Sequence, residues 1–287
     1  MKNLASPSLS QVIYALDFLQ NDAAGMAEQV KSAAGKPGVE DALLEMEADT
    51  AAYAGRLEKA RDLSQRAIAS AERAKEKETA AGYEAQVALR EALFGNVERA
   101  RQRAAAVLKL STGRDAQFAT ELALSLAGDA VQAQRLADKL ERQFPEDTIV
   151  KFNYLPTIRA QIALNRNDAS NAIEVLQAAA PYELGIEGEG GFSLALYPVY
   201  VRGQAYLAAR RGNEAVAEFQ KILDHPGIVA NEPIGALSHL QIGRALDLQG
   251  DTAKARAAYQ DFLTLWKDAD ADIPVLKQAK AEYAKLQ

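Results

Sequence analysis

Residues 197–223 read YPVYVRGQAYLAARRGNEAVAEFQKIL, and residues 234–266 read IGALSHLQIGRALDLQGDTAKARAAYQDFLTLW. The two stretches space their residues identically. In the first, Gly203 is followed by Tyr206, Ala215 and Phe219; in the second, Gly243 is followed by Leu246, Ala255 and Tyr259. Small residues at the first and third of these positions let two antiparallel helices cross closely. The large ones fill the space beside the crossing. This is a helix-turn-helix unit written twice. Because one hairpin cannot bury its own apolar face, each must stack on a neighbour.

The rest of the chain carries fainter copies. Leu9, Val12, Ile13, Leu16 and Leu19 mark one helical face, Asn21-Asp22 breaks it, and a second helix runs to Ala34 before Gly35-Lys36-Pro37-Gly38. Further hairpins are expected over 39–76, 79–110, 114–144 and 148–179, turning at Gly55, Gly95-Asn96, Gly128-Asp129 and Asn167-Asp168. Their packing residues are Ala60 and Ala67, then Ala100, Ala104 and Val107, then Ala133, Ala137 and Leu140, then Ala160, Ala163, Ala172 and Leu176. Pro145 closes the fourth unit. Pro156 either bends the first helix of the fifth or marks a late start. The last segment, 274–286, sets Leu276, Ala279, Tyr283 and Leu286 on one side and lysines elsewhere, as a solvating cap would.

The small, aromatic, Ala, aromatic spacing resembles the tetratricopeptide repeat family. That resemblance implies an all-α, right-handed α-solenoid of about seven hairpins with a C-terminal capping helix. The expected organisation is one array: divergent repeats over 1–110, middle repeats over 111–180, the best-matching repeats over 192–267 and the cap over 273–287.

Composition agrees with such an array. The 287 residues exceed what one compact core usually covers, a limit a solenoid escapes by adding core slice by slice. Aromatics are 7% of the chain, which suits small-residue helix crossings. A net charge of −6 argues against nucleic acid as the partner. There is no cysteine, so disulfides and thiolate metal sites are excluded. MKNLASPSLSQ has no apolar core after its one Lys and is not read as a signal peptide, and no run approaches the ~20 apolar residues of a spanning helix. The mixed charges of 56–78 and the pair Arg99 and Arg103 read as solvated faces.

Two segments superficially imitate ligand loops. PYELGIEGEGG at 181–191 has glycines at 185, 188, 190 and 191, but neither a preceding strand nor the Lys of a phosphate loop. It reads as a surface loop or a flap over the concave face. Asp268, Asp270 and Asp272 begin like a calcium loop, yet Ile273 and Ala279 stand where Gly and Glu are required. Asp272 is expected instead to cap the last helix, with Pro274 in its first turn.

No Ser-His-Asp order, HExxH, P-loop or kinase signature is present. His239 falls where a packing aromatic is expected, and His225 at a helix end. The chain is therefore expected to be non-catalytic, with no cofactor and no metal.

A narrower resemblance is carried by AAAPYELG (178–185), LYPVYVRGQAYLAARRG (196–212), FQKILDHPGIV (219–229) and 250–287. These segments are similar to the C-terminal region of acidobacterial-type proteins. In those, a eukaryotic-like serine/threonine kinase or a winged-helix domain precedes tetratricopeptide repeats. The resemblance implies a scaffold, or alternatively a sensory module of a kinase or transcription-factor system.

A protein or peptide partner in the concave groove is the expected ligand. Tyr154, Gln161, Tyr197, Tyr200, Gln204, Arg244 and Asp247 are the residues expected to face it. The Lys and Asn pair of a carboxylate clamp is missing from these helices. The expected compartment is the cytoplasm, or outside it if the chain is the tail of a membrane-spanning kinase.

Overall fold

The computed structural model describes residues 7–185 and 194–286, so the three later glycines of the 181–191 loop lie outside the described residues. Among the described residues there is no strand. The helices come in hairpins: α1 (Pro7–Leu19) with α2 (Ala23–Ala33), α3 (Glu40–Tyr53) with α4 (Leu57–Arg73), α5 (Lys77–Leu93) with α6 (Val97–Leu110), and α7 (Arg114–Leu126) with α8 (Ala130–Gln143). Next come α9 (Leu155–Asn165) with α10 (Ala169–Val175), α11 (Tyr197–Ala208) with α12 (Gly212–Asp224), the short α13 (Pro226–Val229), α14 (Pro233–Leu248) with α15 (Thr252–Leu265), and α16 (Pro274–Ala284).

One turn is used repeatedly. Gly55, Gly95, Gly128 and Gly250 take positive φ just after the first helix of a hairpin, and Asn167 and Arg210 take it at the matching place. Glycine enters this left-handed region without a Cβ penalty, whereas Arg210 enters it at a cost of about 1–2 kcal/mol. Asp129, Asp168 and Asp251 follow and cap the second helix, each accepting from a backbone N–H three residues on.

The second helices are amphipathic. In α8 only Ala133, Leu136, Ala137 and Leu140 are buried, the spacing of a single face. The first helices from α5 onward are the more deeply buried: from Ala80 to Ala92 each residue of α5 is buried, and so is each from Ala116 to Ser125 in α7. They form an inner layer in which α5, α7, α9, α11 and α14 pack in succession, and α14 then packs against α3. The array thus curls back on itself, and one hydrophobic core runs from Leu44 to Ala279.

Two local details differ from expectation, and Pro156 takes one of its two expected places. The atoms nearest the missing Cβ of Gly203 belong to the Phe219 ring, at 2.6 Å, and those nearest Gly243 to Tyr259, at 2.9 Å. The aromatic therefore sits directly on the glycine. Pro156 lies in the first turn of α9, and a π-helical turn, Val150–Tyr154, feeds into it where the proline donates no backbone bond. Asp272 does not cap α16: the cap position is Ile273, buried to 1% exposure, with no side-chain cap bond. Of the acidic run, Asp270 reaches back instead. Its carboxylate accepts from the Glu58 N–H at 2.7 Å and its own N–H donates to the Gly55 carbonyl at 3.0 Å. The segment that imitates a calcium loop is a clasp on the α3–α4 turn.

Candidate functional site

Closure buries much of the face expected to be a groove. Tyr154 is 1% exposed, stacks on Phe118 at 3.8 Å and donates to Asp115 at 2.9 Å. Tyr197 donates to Glu232 at 3.2 Å, and Tyr200 accepts from Gln241 at 3.2 Å. Both tyrosines are buried. Gln161 is buried, donates to Asn165, and has an Oε1 with no partner. Gln204 is partly buried, and its Oε1 also lacks a partner. Arg244 is partly exposed and forks onto the Glu282 carboxylate at 2.9 and 3.1 Å, with Tyr259 donating to the same group at 3.0 Å. Asp247 is exposed.

At the closing seam the inner layer is electrostatic. Arg90 on α5 is buried and donates to the Glu45 carboxylate and to Ser64 at 2.8 Å, while its Nε lies 3.7 Å from Asp49. Burial pushes the carboxyls of Glu45 and Asp49 above their usual range, with Arg90 pulling the other way. Glu232, whose outer edge still meets solvent, is pushed up to about 7 by burial, against the Tyr197 hydroxyl and Arg90. One guanidinium therefore lies among three carboxyls, pairing with Glu45 and approaching Asp49, and the low-dielectric surroundings oppose the excess negative charge. A second buried ion cluster lies farther along, where Arg202 pairs with Glu183 at 2.8 Å and Glu218 at 2.6 Å, and Lys221 joins Glu183 at 2.8 Å. It ties Glu183 to α11 and α12.

An open cleft of about 690 Å³ lies on the outside of the seam. The N-terminal hairpin supplies Phe18 and Met26, α3 supplies Tyr53, and α12, α13 and α14 supply Leu223, Val229 and Gly235. Glu47, Arg56 and Lys59 give it a mixed-charge edge. Phe18 meets Tyr53 edge to face at 5.2 Å. Beside it, α1 turns Val12, Leu16 and Leu19 outward at 56, 49 and 37% exposure, and Leu19 also lines the cleft. Sequence reasoning saw this apolar stripe but not the cleft, whose walls are far apart in the chain. The carboxylate spacing of Asp41, Glu45 and Asp49, four apart on one helix face, was the available signal for the acidic seam.

Neither histidine joins a group of reactive side chains. His225 bonds the Lys221 carbonyl at 2.8 Å, and burial pulls His239 below its usual range. Among the described residues no helix is long and apolar enough to cross a membrane.

No protein-family model matches the chain and no curated protein matches it. Among solved structures, the crystal structure of yeast Tom70 superposes with a TM-score of 0.49 at 12% identity, over 100% of this chain and 66% of that one.

Proposed function

We propose that the chain is a non-catalytic protein-interaction scaffold, and that its partner is a protein segment presenting apolar side chains to the N-terminal hairpin. The supporting observation is the joining, at Leu19, of an outward apolar stripe to an apolar cleft of about 690 Å³. Val12, Leu16 and Leu19 follow a four-then-three spacing, which an amphipathic helix matches. The mixed-charge edge formed by Glu47, Arg56 and Lys59 would favour a partner helix with charges flanking its apolar face.

Binding along the inner face is the narrower proposal. Gln204, Arg244 and Asp247 retain exposure there, whereas contact with Tyr154, Gln161, Tyr197 or Tyr200 requires the ring to open. The regulatory proposal, a module serving a kinase or winged-helix regulator, rests on the four segments quoted above. Affinity capture from the native cell tests all of these together. A partner retained by the wild type and lost on Val12→Glu with Leu16→Glu supports docking on the N-terminal hairpin. Loss on Arg244→Ala instead would move the site to the inner face. A kinase or winged-helix protein among the captured partners would support the regulatory proposal.

A further inference from the structure

A second cleft, of about 290 Å³, opens between α1, α3 and the start of α5, independent of the apolar one. Four carboxylates line it: Asp41, Glu45, Asp49 and Glu76. Among the described residues no lysine, arginine or histidine lines it. The first three repeat every fourth residue along α3, so one helix face delivers them together. Arg90 stands behind, engaging one oxygen of Glu45 and approaching Asp49.

The remaining oxygens are not served. Asp41 Oδ1, Glu45 Oε2 and Gln86 Oε1 have no hydrogen-bond partner, although these residues are only 2, 4 and 5% exposed. A buried polar atom left unpaired is costly, and three beside one cleft form a set of acceptors awaiting donors. Asp41 does accept from the Tyr83 hydroxyl at 2.9 Å, which fixes its orientation. Among the described residues no group of His, Asp and Glu converges closely enough to hold a metal ion. The acceptors are instead spread over a volume that fits an extended group. An ammonium offers three donors and a guanidinium five, each with the charge this lining lacks.

We propose that this cleft binds an organic cation through an ammonium or guanidinium group. Such a group comes either from a free amine or from a lysine or arginine side chain of a docked peptide. The cation meets Asp41, Glu45 and Gln86 inside and Glu76 at the rim.

Calorimetry on the full chain tests this with agmatine, with spermidine, and with a blocked pentapeptide whose only charge is a central arginine. The neutral N-butylacetamide is the control. Saturable binding of at least one cation is expected, weakened about tenfold or more by Gln86→Leu and by Glu76→Gln, and unchanged by Glu174→Gln on the distant α10. Binding of the amines without the peptide assigns a free amine, and binding of the peptide assigns a side chain. Glu76 is partly exposed, so its variant keeps the test valid if Gln86→Leu fails to fold. Three results would overturn the proposal: no saturation by any cation at about 10 mM, equal binding by wild type and both cleft variants, or equal binding of the neutral amide.

Discussion

The indole N–H of Trp266 donates a 2.9 Å hydrogen bond to the backbone carbonyl of Tyr53, joining positions 213 apart. The ring is 2% exposed and packs edge-on against Phe94 at 5.1 Å and tilted against Phe262 at 4.7 Å. A Cβ on Gly55 would lie 2.7 Å from the indole and 2.5 Å from Ala269. The seam is therefore fitted around this one side chain. Trp266→Ala is expected to destabilise the fold by about 3–5 kcal/mol in urea titrations followed by circular dichroism. Trp266→Phe loses the N–H donor and part of the ring, and is expected to cost less, about 1–3 kcal/mol. Equal midpoints for Trp266→Ala and wild type would mean the seam contributes nothing to stability.

Gly203→Ala sets two effects against each other. Alanine favours a helix over glycine by about 1 kcal/mol, but its Cβ would fall 2.6 Å from the fully buried Phe219 ring. Overpacking of this kind costs about 1–3 kcal/mol, and the ring has no exposed side to move into. Net destabilisation of about 1 kcal/mol is expected. Gly203→Ala combined with Phe219→Leu should show favourable coupling in a double-mutant cycle, because the smaller side chain clears the clash. Additive effects would show that ring and glycine do not share the space.

What was legible in the sequence is what neighbours in the chain decide. Gly55, Gly95 and Gly128 mark turns because a positive φ is needed there, and Ala100, Ala104 and Val107 mark an inward face by spacing alone. The curling of the array was not legible, since small rotations between hairpins accumulate before α14 meets α3. Tyr197 and Tyr200, expected to face a groove, are buried and bonded to Glu232 and Gln241. Whether the inner layer holds a partner or its own side chains depends on the accumulated curvature. For the same reason Asp270 was read by its local spacing, while its partners Gly55 and Glu58 lie in another hairpin.

Arg90 is the one guanidinium of its buried cluster, so its removal strands Glu45 and Asp49. Arg90→Met keeps much of the volume and is expected to cost about 3–5 kcal/mol near pH 7. The carboxyls of Glu45 and Asp49 are already raised by burial, and without Arg90 they rise further. A carboxyl raised in the folded state destabilises above its unfolded value and ceases to do so once both states are protonated. The deficit of Arg90→Met should therefore shrink as pH falls towards 4, as urea midpoints at several pH values would register. A deficit independent of pH would assign Arg90 to packing alone.

Glu121 on α7 is 0% exposed, and neither of its carboxyl oxygens has a hydrogen-bond partner. Burial pushes its carboxyl up to about 8 from an ordinary value of 4.5, with Lys139 only partly opposing. Below pH 4.5 the folded and unfolded chains both hold the proton, and the group has no linked effect. Above that, the unfolded chain releases the proton while the folded chain keeps it. Stability then falls by about 1.4 kcal/mol per pH unit until the folded carboxyl also ionises, near 8. At pH 7 the accumulated loss is about 3 kcal/mol. Glu121→Leu has no titrating group and similar bulk, so it is expected to raise the urea midpoint at pH 7 and to raise it further at pH 8. At pH 5 the two proteins should lie closest. A gap that stays constant from pH 5 to pH 8 would show that the carboxyl ionises as it does in water, and that it has a partner in solution.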